Sequence, residues 1–252
     1  MATPNKAQPK YLQIAGELRR SITSGEYAPD ARLPGENELM ATYDVARETA
    51  RKALAQLINE GIATPRRGAG VFVRAFRPYI RNGIQRLSGT TWPTGKSIWG
   101  DELDGRSLAV DRVQVQETEA SSRTALLLDL ASGERVIVRS RRYLLDGKPI
   151  LIANSYLAAT LVAGSPIVEP DTGPGGIYAR LRDLGHEPTQ FREDLRARMP
   201  EPTETSELEL SAGTPVMEIV RTAYTGEGQA VEVNEMVADA SAYVFRYDFA
   251  RA

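Results

Sequence analysis

The sequence predicts an α/β chain of two domains, a small helical module closed by a hairpin and then a larger α+β domain built on an antiparallel sheet. Three observations lead there. Charge is divided unevenly: residues 1–86 hold 14 Lys and Arg against 8 Asp and Glu, a balance of +6, whereas 87–252 hold 17 against 25, a balance of −8. The first 75 residues read helix, short helix, tight turn, helix, hairpin. Farther on, two 14-residue stretches repeat at a fixed offset of 80.

Composition narrows the function classes. With 42% apolar and 25% charged residues, the 252-residue chain has the mix of a soluble globular protein with room for two cores. Residues 1–10, "MATPNKAQPK", are polar and hold two prolines, so they read as a disordered tail and not as a signal peptide. No apolar run approaches the roughly 18 residues that span a bilayer, so no membrane partner is expected. Cysteine is absent, which excludes disulfides, thiolate metal sites and thiol nucleophiles, and the expected location is the bacterial cytoplasm. His186 is the single histidine, so no metal site or cofactor is expected and a His-based triad would hang on one residue.

Residues 11–75 form the first domain. Tyr11, Ile14, Ala15, Leu18 and Ile22 keep helical spacing before Gly25. "EYAPDARLP" reads as a turn-rich connection to a short helix near 35–42, and the turn Tyr43-Asp44-Val45 leads to a helix ending at Gly61. In that last helix Ala50, Ala53, Leu54, Leu57 and Ile58 make a buried stripe. Two helices so tightly joined suggest a helix-turn-helix, and "IAT", "PRRGAG" and "VFVR" make a basic β-hairpin wing. A basic module on an acidic remainder suits a polyanion such as DNA.

Opposite the stripe lie Arg47, Glu48, Arg51 and Lys52. At the amino-terminal end of a recognition helix, arginine bridges guanine O6 and N7 or holds a phosphate, and Glu48 accepts from a cytosine amino group. Arg66 and Arg67 suit backbone phosphates or the minor groove, with Gly68 and Gly70 permitting close backbone approach. Such a face alone is more often a plain solvated surface; the order helix, turn, helix, basic wing reverses that and favours DNA.

"YLQIAGELRRSITSGEYAPDARLPGENELMATYDVARETARKALAQLINEGIATPRRGAGVFV", residues 11–73, resembles the winged helix-turn-helix of the GntR family of bacterial transcription regulators. The resemblance puts Arg47, Thr49, Arg51 and Gly68 on positions that contact operator DNA. Three positions depart from the family pattern. Ala46 stands where Ser or Thr is usual, which removes a helix cap worth about 1 kcal/mol. Asn37 replaces a frequent Arg and Glu48 a frequent Thr, shifting the expected base preference.

Residues 76–86 have little periodicity and read as a linker, leaving 87–252 as the second domain. "ERVIVRSRRYLLDGKPILIANSYL" is a hairpin around Asp146-Gly147, a dipeptide suited to two positive φ angles. "GGIYARLRDLGH" reads as a helix, Phe191–Met199 as a half-exposed strand, and "TPVMEIVRTAY" with "QAVEVNEMVADA" as a second strand pair. "LDLASGERVIVRSR" (128–141) and "LELSAGTPVMEIVR" (208–221) are the repeat, which implies a duplicated unit joined in one antiparallel sheet. It makes Arg141 and Arg221 quasi-equivalent, pointing either into one anion site or outward. "DTGPGGIY" (171–178) lacks the phosphate-loop spacing, and a loop capping a pocket or a plain connection fits better than a phosphate cradle.

This region, through "SGERVIVRSRRYLLDGKPI", "GGIYARL", "GTPVMEIVRTAY", "AVEVNEM" and "ADASAYVFRYDF", resembles the effector-binding UTRA domain of the HutC branch of that family, with a chorismate-lyase-like fold. The resemblance implies a small, often anionic effector held at Arg141, Tyr178, Glu232, Tyr243 and Trp92. Tyr143 stands where a second Arg is common, and an acid near Asn154 is missing, which argues against an amino-sugar phosphate.

The expected function is a ligand-responsive repressor, a homodimer on a palindromic double-stranded operator, released by a small-molecule effector. Two alternatives stand beside it. A lyase-like enzyme would use Asp194, Glu232 or Asp239 as acid or base, but no nucleophile is paired with a base, so no catalytic residue is assigned. A ligand-independent DNA-binding or plasmid-maintenance protein would have an apolar-filled pocket.

Overall fold

The computed structural model describes residues 8–75, 78–83 and 106–249, so Trp92 lies outside the described residues. Two compact units emerge, the first taking residues 1–77 and 211–214 and the second 78–210 and 215–252.

In the first unit α1 (Lys10–Thr23) turns Ile14, Ala15 and Leu18 inward, and α3 (Arg47–Asn59) buries Ala50, Ala53, Leu54 and Leu57 against them. Each fully buried Leu or Ile contributes about 1.5–3 kcal/mol. Between them α2 (Glu36–Tyr43) is closed by Asp44, whose φ of 47° lets its N–H reach the Met40 carbonyl. That left-handed residue makes the turn tight. Strands β1 (Ala63–Arg66) and β2 (Gly70–Val73) pair antiparallel as the wing, with Arg66 opposite Gly70. The segment read as a turn-rich connection is more regular than that: Leu33 N–H donates to the Val71 carbonyl and Val73 N–H to the Ala31 carbonyl, both at 2.8 Å, so it flanks the hairpin.

In the second unit six antiparallel strands lie in the order β4 (Leu108–Glu119), β5 (Arg135–Leu145), β6 (Lys148–Ala158), β9 (Ala230–Asp239), β8 (Val216–Tyr224), β7 (Gln190–Arg198). The offset of 80 maps β5 and β6 onto β8 and β9. Its quasi-twofold axis passes between the partner pairs Asn154–Glu235 and Ser155–Asn234 at the β6–β9 seam. Asp129 and Glu209, also 80 apart, both take a left-handed φ, 54° and 50°. The duplicated unit is thus real in backbone as well as in sequence. At the β5–β6 turn Asp146 and Gly147 have φ of 51° and 79°, the pair of positive angles that dipeptide suggests.

Both faces of this sheet are covered. On one, Val136, Val138, Val220 and Val233 pack with Leu128 of α4 (Ser122–Leu128), and Val216 packs with Leu208, just after α7 (Pro202–Glu207). On the other, α5 (Ala159–Val162), a 3-10 turn at Pro166–Val168 and α6 (Gly176–Asp183) cover Ile137, Leu157, Ala223 and Val231. Burial on both faces suits the apolar stretch 149–153 of β6, whereas β5 interrupts its apolar positions with Arg139, Arg141 and Arg142.

The stretch read as a linker is not featureless. Tyr79–Asn82 form β3, parallel to β10 (Tyr243–Arg246), within the second unit. Four residues are too few for a period to show, and a buried arginine, Arg81, occupies a position where an apolar residue would have signalled a strand.

Candidate nucleic-acid interface and effector cavity

Two sites emerge, one in each unit. On α3 the side chains of Arg47, Glu48, Arg51 and Lys52 are all more than half exposed, opposite the buried stripe. Thr49 is half-buried beside them. Arg47 donates to Asn37 Oδ1 at 3.0 Å and lies 3.5 Å from a Glu36 carboxylate oxygen. Glu48 pairs with Arg51 and lies 3.9 Å from Lys52. Exposed pairs of this kind are worth about 0–1 kcal/mol, so a phosphate can exchange for them. Ala46 is the N-cap residue and supplies no side-chain bond, as its lack of a hydroxyl dictates.

The two wing arginines differ. Arg66 pairs with Asp30 and stacks over the Phe72 ring at 4.2 Å, drawn back against its own unit. Arg67 is exposed at the turn beside Gly68, whose φ is 73°. At Gly70, φ of 112° bars an ordinary side chain, and a Cβ would sit 3.1 Å from Arg32 Nε.

The second site is a cavity of about 360 Å³ over the α6-covered face of the six-stranded sheet. Alternation brings Arg139, Arg141 and Tyr143 of β5, Glu232, Asn234 and Met236 of β9, and Arg221 of β8 to one surface. Residues 170–176 and the start of α6 with Tyr178 form the opposite wall. The "DTGPGGIY" loop therefore lines the pocket. Taken together, three arginines against Asp171 and Glu232 leave the cavity lining net positive.

Their roles separate by hydrogen bonding. Arg139, 2% exposed, donates through its two terminal nitrogens to the carbonyls of Ile167, Glu169 and Pro170, tying the loop to the sheet, while its buried Nε has no partner among the described residues. Burial first, then the charge of Arg141, brings its pKa down to about 10. Arg141 donates to Ser155 Oγ at 2.6 Å, while its buried Nε has no hydrogen-bond partner among the described residues. Arg221 donates to Glu193 at 2.8 Å and lies 3.5 Å from the Tyr178 hydroxyl. Burial, then Glu232, raises the Tyr178 pKa, keeping the phenol protonated. Glu232 is 1% exposed, and its Oε2 and Asn234 Oδ1 are unmatched by a donor among the described residues.

Arg141, Tyr178 and Glu232, which the resemblance puts together, all line this cavity. Tyr243 does not join them at the cavity wall: it stands on β10, edge-on to Tyr79 at 5.6 Å and stacked with Phe245 at 5.6 Å. Its strand belongs to the small β3–β10 sheet, so parity in the main sheet does not govern where it points. Arg139, Ser155 and Asn234 were missed. Arg139 and Asn234 lie two residues from Arg141 and Glu232 on the same strands, so strand alternation alone could have found them.

Residues 10–73 match the bacterial regulatory proteins of the gntR family, and residues 104–244, more than half the chain, match the UTRA domain. An uncharacterized HTH-type transcriptional regulator of Streptomyces coelicolor is 31% identical over 96% of this chain and 93% of its own. The HTH-type transcriptional repressor NagR of Bacillus subtilis is 26% identical over 94% and 93%, and the histidine utilization repressor of Pseudomonas putida 25% over 86% and 83%. Among solved structures, a GntR-family regulator superposes with a TM-score of 0.68 at 27% identity over 97% of this chain and 99% of its own. PhnF from Mycobacterium smegmatis shares the fold at 0.59 and 22%, over 95% and 100%. With its winged helix-turn-helix, its UTRA domain and these relatives, the chain belongs to the GntR family and is a HutC-type, ligand-responsive DNA-binding transcription regulator.

Proposed function

We propose that this regulator is a repressor that binds a palindromic operator as a homodimer and is released by a small metabolite bearing both an anionic group and a hydrogen-bond donor. One observation supports the ligand class: the buried Arg141 Nε, Glu232 Oε2 and Asn234 Oδ1, on residues lining one cavity, lack partners among the described residues. Each unmet buried group costs about 1–3 kcal/mol, which a ligand of complementary charge recovers on binding. An anionic end suits Arg141 and Arg221, and an amino or hydroxyl group suits Glu232 and Asn234. We read the cavity as a binding site without catalysis, because Arg139 and Arg221 are held by carbonyls and a carboxylate and Tyr178 is kept protonated.

Recognition of DNA falls to Arg47, Thr49 and Arg51 of α3, with Asn37 and Glu48 adjusting them and Arg67 and Gly68 at the wing turn. Arg66 has the lesser share, being held by Asp30 and Phe72. A dimer places two recognition helices in half-sites about one helical turn apart. The test is to select bound duplexes from a random library with the full chain, then titrate the selected duplex with phosphorylated and carboxylated metabolites. An inverted repeat released by one metabolite supports the reading; a duplex without symmetry, or no release by any anion, contradicts it.

A further inference from the structure

A buried run of charge leaves the cavity and ends on β3. Arg221, 4% exposed, lines the cavity and donates from Nε to Glu193 Oε1 at 2.8 Å. Glu193, its cross-strand partner on β7, also accepts two bonds from Arg81, at 3.0 and 2.5 Å, and one from the Tyr247 hydroxyl at 3.1 Å. Arg81 is 2% exposed on β3, the first element after the wing hairpin in chain order. Gly83, at the end of β3, lies so close to Tyr247 that a Cβ there would meet the ring at 2.1 Å.

One carboxylate therefore serves two buried guanidinium groups. A buried cation without a full counter-charge is costly, and the shared carboxylate covers each arginine only in part. The two ends are not alike: Arg81 is enclosed with Phe245 at 5.4 Å from its ring, whereas Arg221 faces the cavity. An anion arriving in the cavity meets Arg221 first and competes with Glu193 for it.

We propose that Glu193 is an internal counter-ion that a bound anion replaces at Arg221, and that the released carboxylate then closes wholly on Arg81, so that occupancy of the cavity tightens β3. The proposal rests on the reading of the cavity as an anion-binding effector site and adds how that site is coupled. Because β3 follows the wing by only a few residues, a change in its anchoring acts on the segment joining the two units. Coupling is reciprocal: if the ligand weakens the Glu193–Arg221 pair, weakening that pair must strengthen the ligand.

The experiment titrates inorganic phosphate into the full chain at constant ionic strength, by calorimetry, for wild type, Arg141→Ala, Glu193→Gln and Arg81→Met. Circular dichroism checks that each is folded. Glu193→Gln keeps the shape and removes the competing charge, so it should bind phosphate at least about fivefold more tightly than wild type. Arg81→Met leaves Glu193 to Arg221 alone and should bind more weakly by a similar factor. Opposite shifts from two neighbours of one network are not what a merely structural role produces. As a readout independent of the variants' folding, amide exchange at residues 79–82 of the wild type should slow on adding phosphate.

Equal binding by wild type and Glu193→Gln, with unchanged exchange in β3, overturns the coupling and leaves the cavity reading intact. Phosphate binding that survives Arg141→Ala undamaged, or no binding even in Glu193→Gln, overturns the cavity reading and the coupling with it.

Discussion

Arg141 and Arg221 stand 80 residues apart, at equivalent positions in the two halves of one sheet, and face the same cavity. Duplication placed them there, but their partners differ: Arg141 holds the neutral hydroxyl of Ser155, Arg221 the carboxylate of Glu193. Arg141 therefore keeps its full charge toward the cavity, while Arg221 presents a charge already partly answered. The two halves, alike in backbone, have diverged into a primary anion contact and a coupled one.

Arg139 is the structural member of the trio. Its three bonds to the carbonyls of Ile167, Glu169 and Pro170 fix the loop that lines the cavity. Arg139→Met strands those acceptors and should cost about 3 kcal/mol. A lower urea midpoint with an unchanged slope, together with faster proteolysis within 170–176, is the expected result.

Glu48 restrains the recognition face through Arg51 and Lys52. Glu48→Gln should free both for phosphates and raise affinity for random-sequence DNA by roughly threefold at low salt, the scale of an exposed ion pair. Arg67→Ala should reduce the slope of log affinity against log salt by about 1 on every sequence, while Arg66→Ala, already bound to Asp30, should change it less. Fluorescence anisotropy over a salt series separates the three.

The α3 cap position is open to improvement. Ala46 has the extended φ and ψ of −66° and 151° that an N-cap needs, yet no side-chain oxygen. Ala46→Ser should stabilise the first unit by about 1 kcal/mol, read as a raised thermal midpoint.

Glu193 gives a pH signature. Burial alone would raise its pKa, but the Arg81 hydrogen bond and the charges of Arg221 and Arg81 hold it at about 2 against an ordinary 4.5. The folded chain then binds fewer protons than the unfolded one. This contribution to stability is fully present above about pH 4.5 and is lost as pH falls toward 2. Wild type should lose more urea stability than Glu193→Gln between pH 5 and pH 3.

The first unit was legible because its signals are local: the Ala50–Leu57 stripe, the Tyr43–Val45 turn and the glycine-bearing wing each lie within one short window. In the second, the repeat by itself discloses the sheet's duplication, and Asp146-Gly147 discloses its hairpin. What stayed hidden was long-range. Arg81 and Glu193 are 112 residues apart, and neither flanks a motif. Tyr243 was assigned to the cavity from resemblance, while its strand pairs with β3, an element too short to announce itself. Ion pairs that decide a buried network carry no sequence period, so the repeat singled out Arg141 and Arg221 but left their direction open and could not find Glu193.

The central claim is that Arg141 anchors an anionic effector whose binding weakens the hold on DNA. The most direct measurement follows anisotropy of a labelled, selected operator duplex bound by the full chain as anionic metabolites are added, for wild type and Arg141→Ala. The account predicts a metabolite that releases wild type at a concentration where Arg141→Ala, still bound to the duplex with wild-type affinity, is unmoved. Release of both proteins at the same concentration would contradict it.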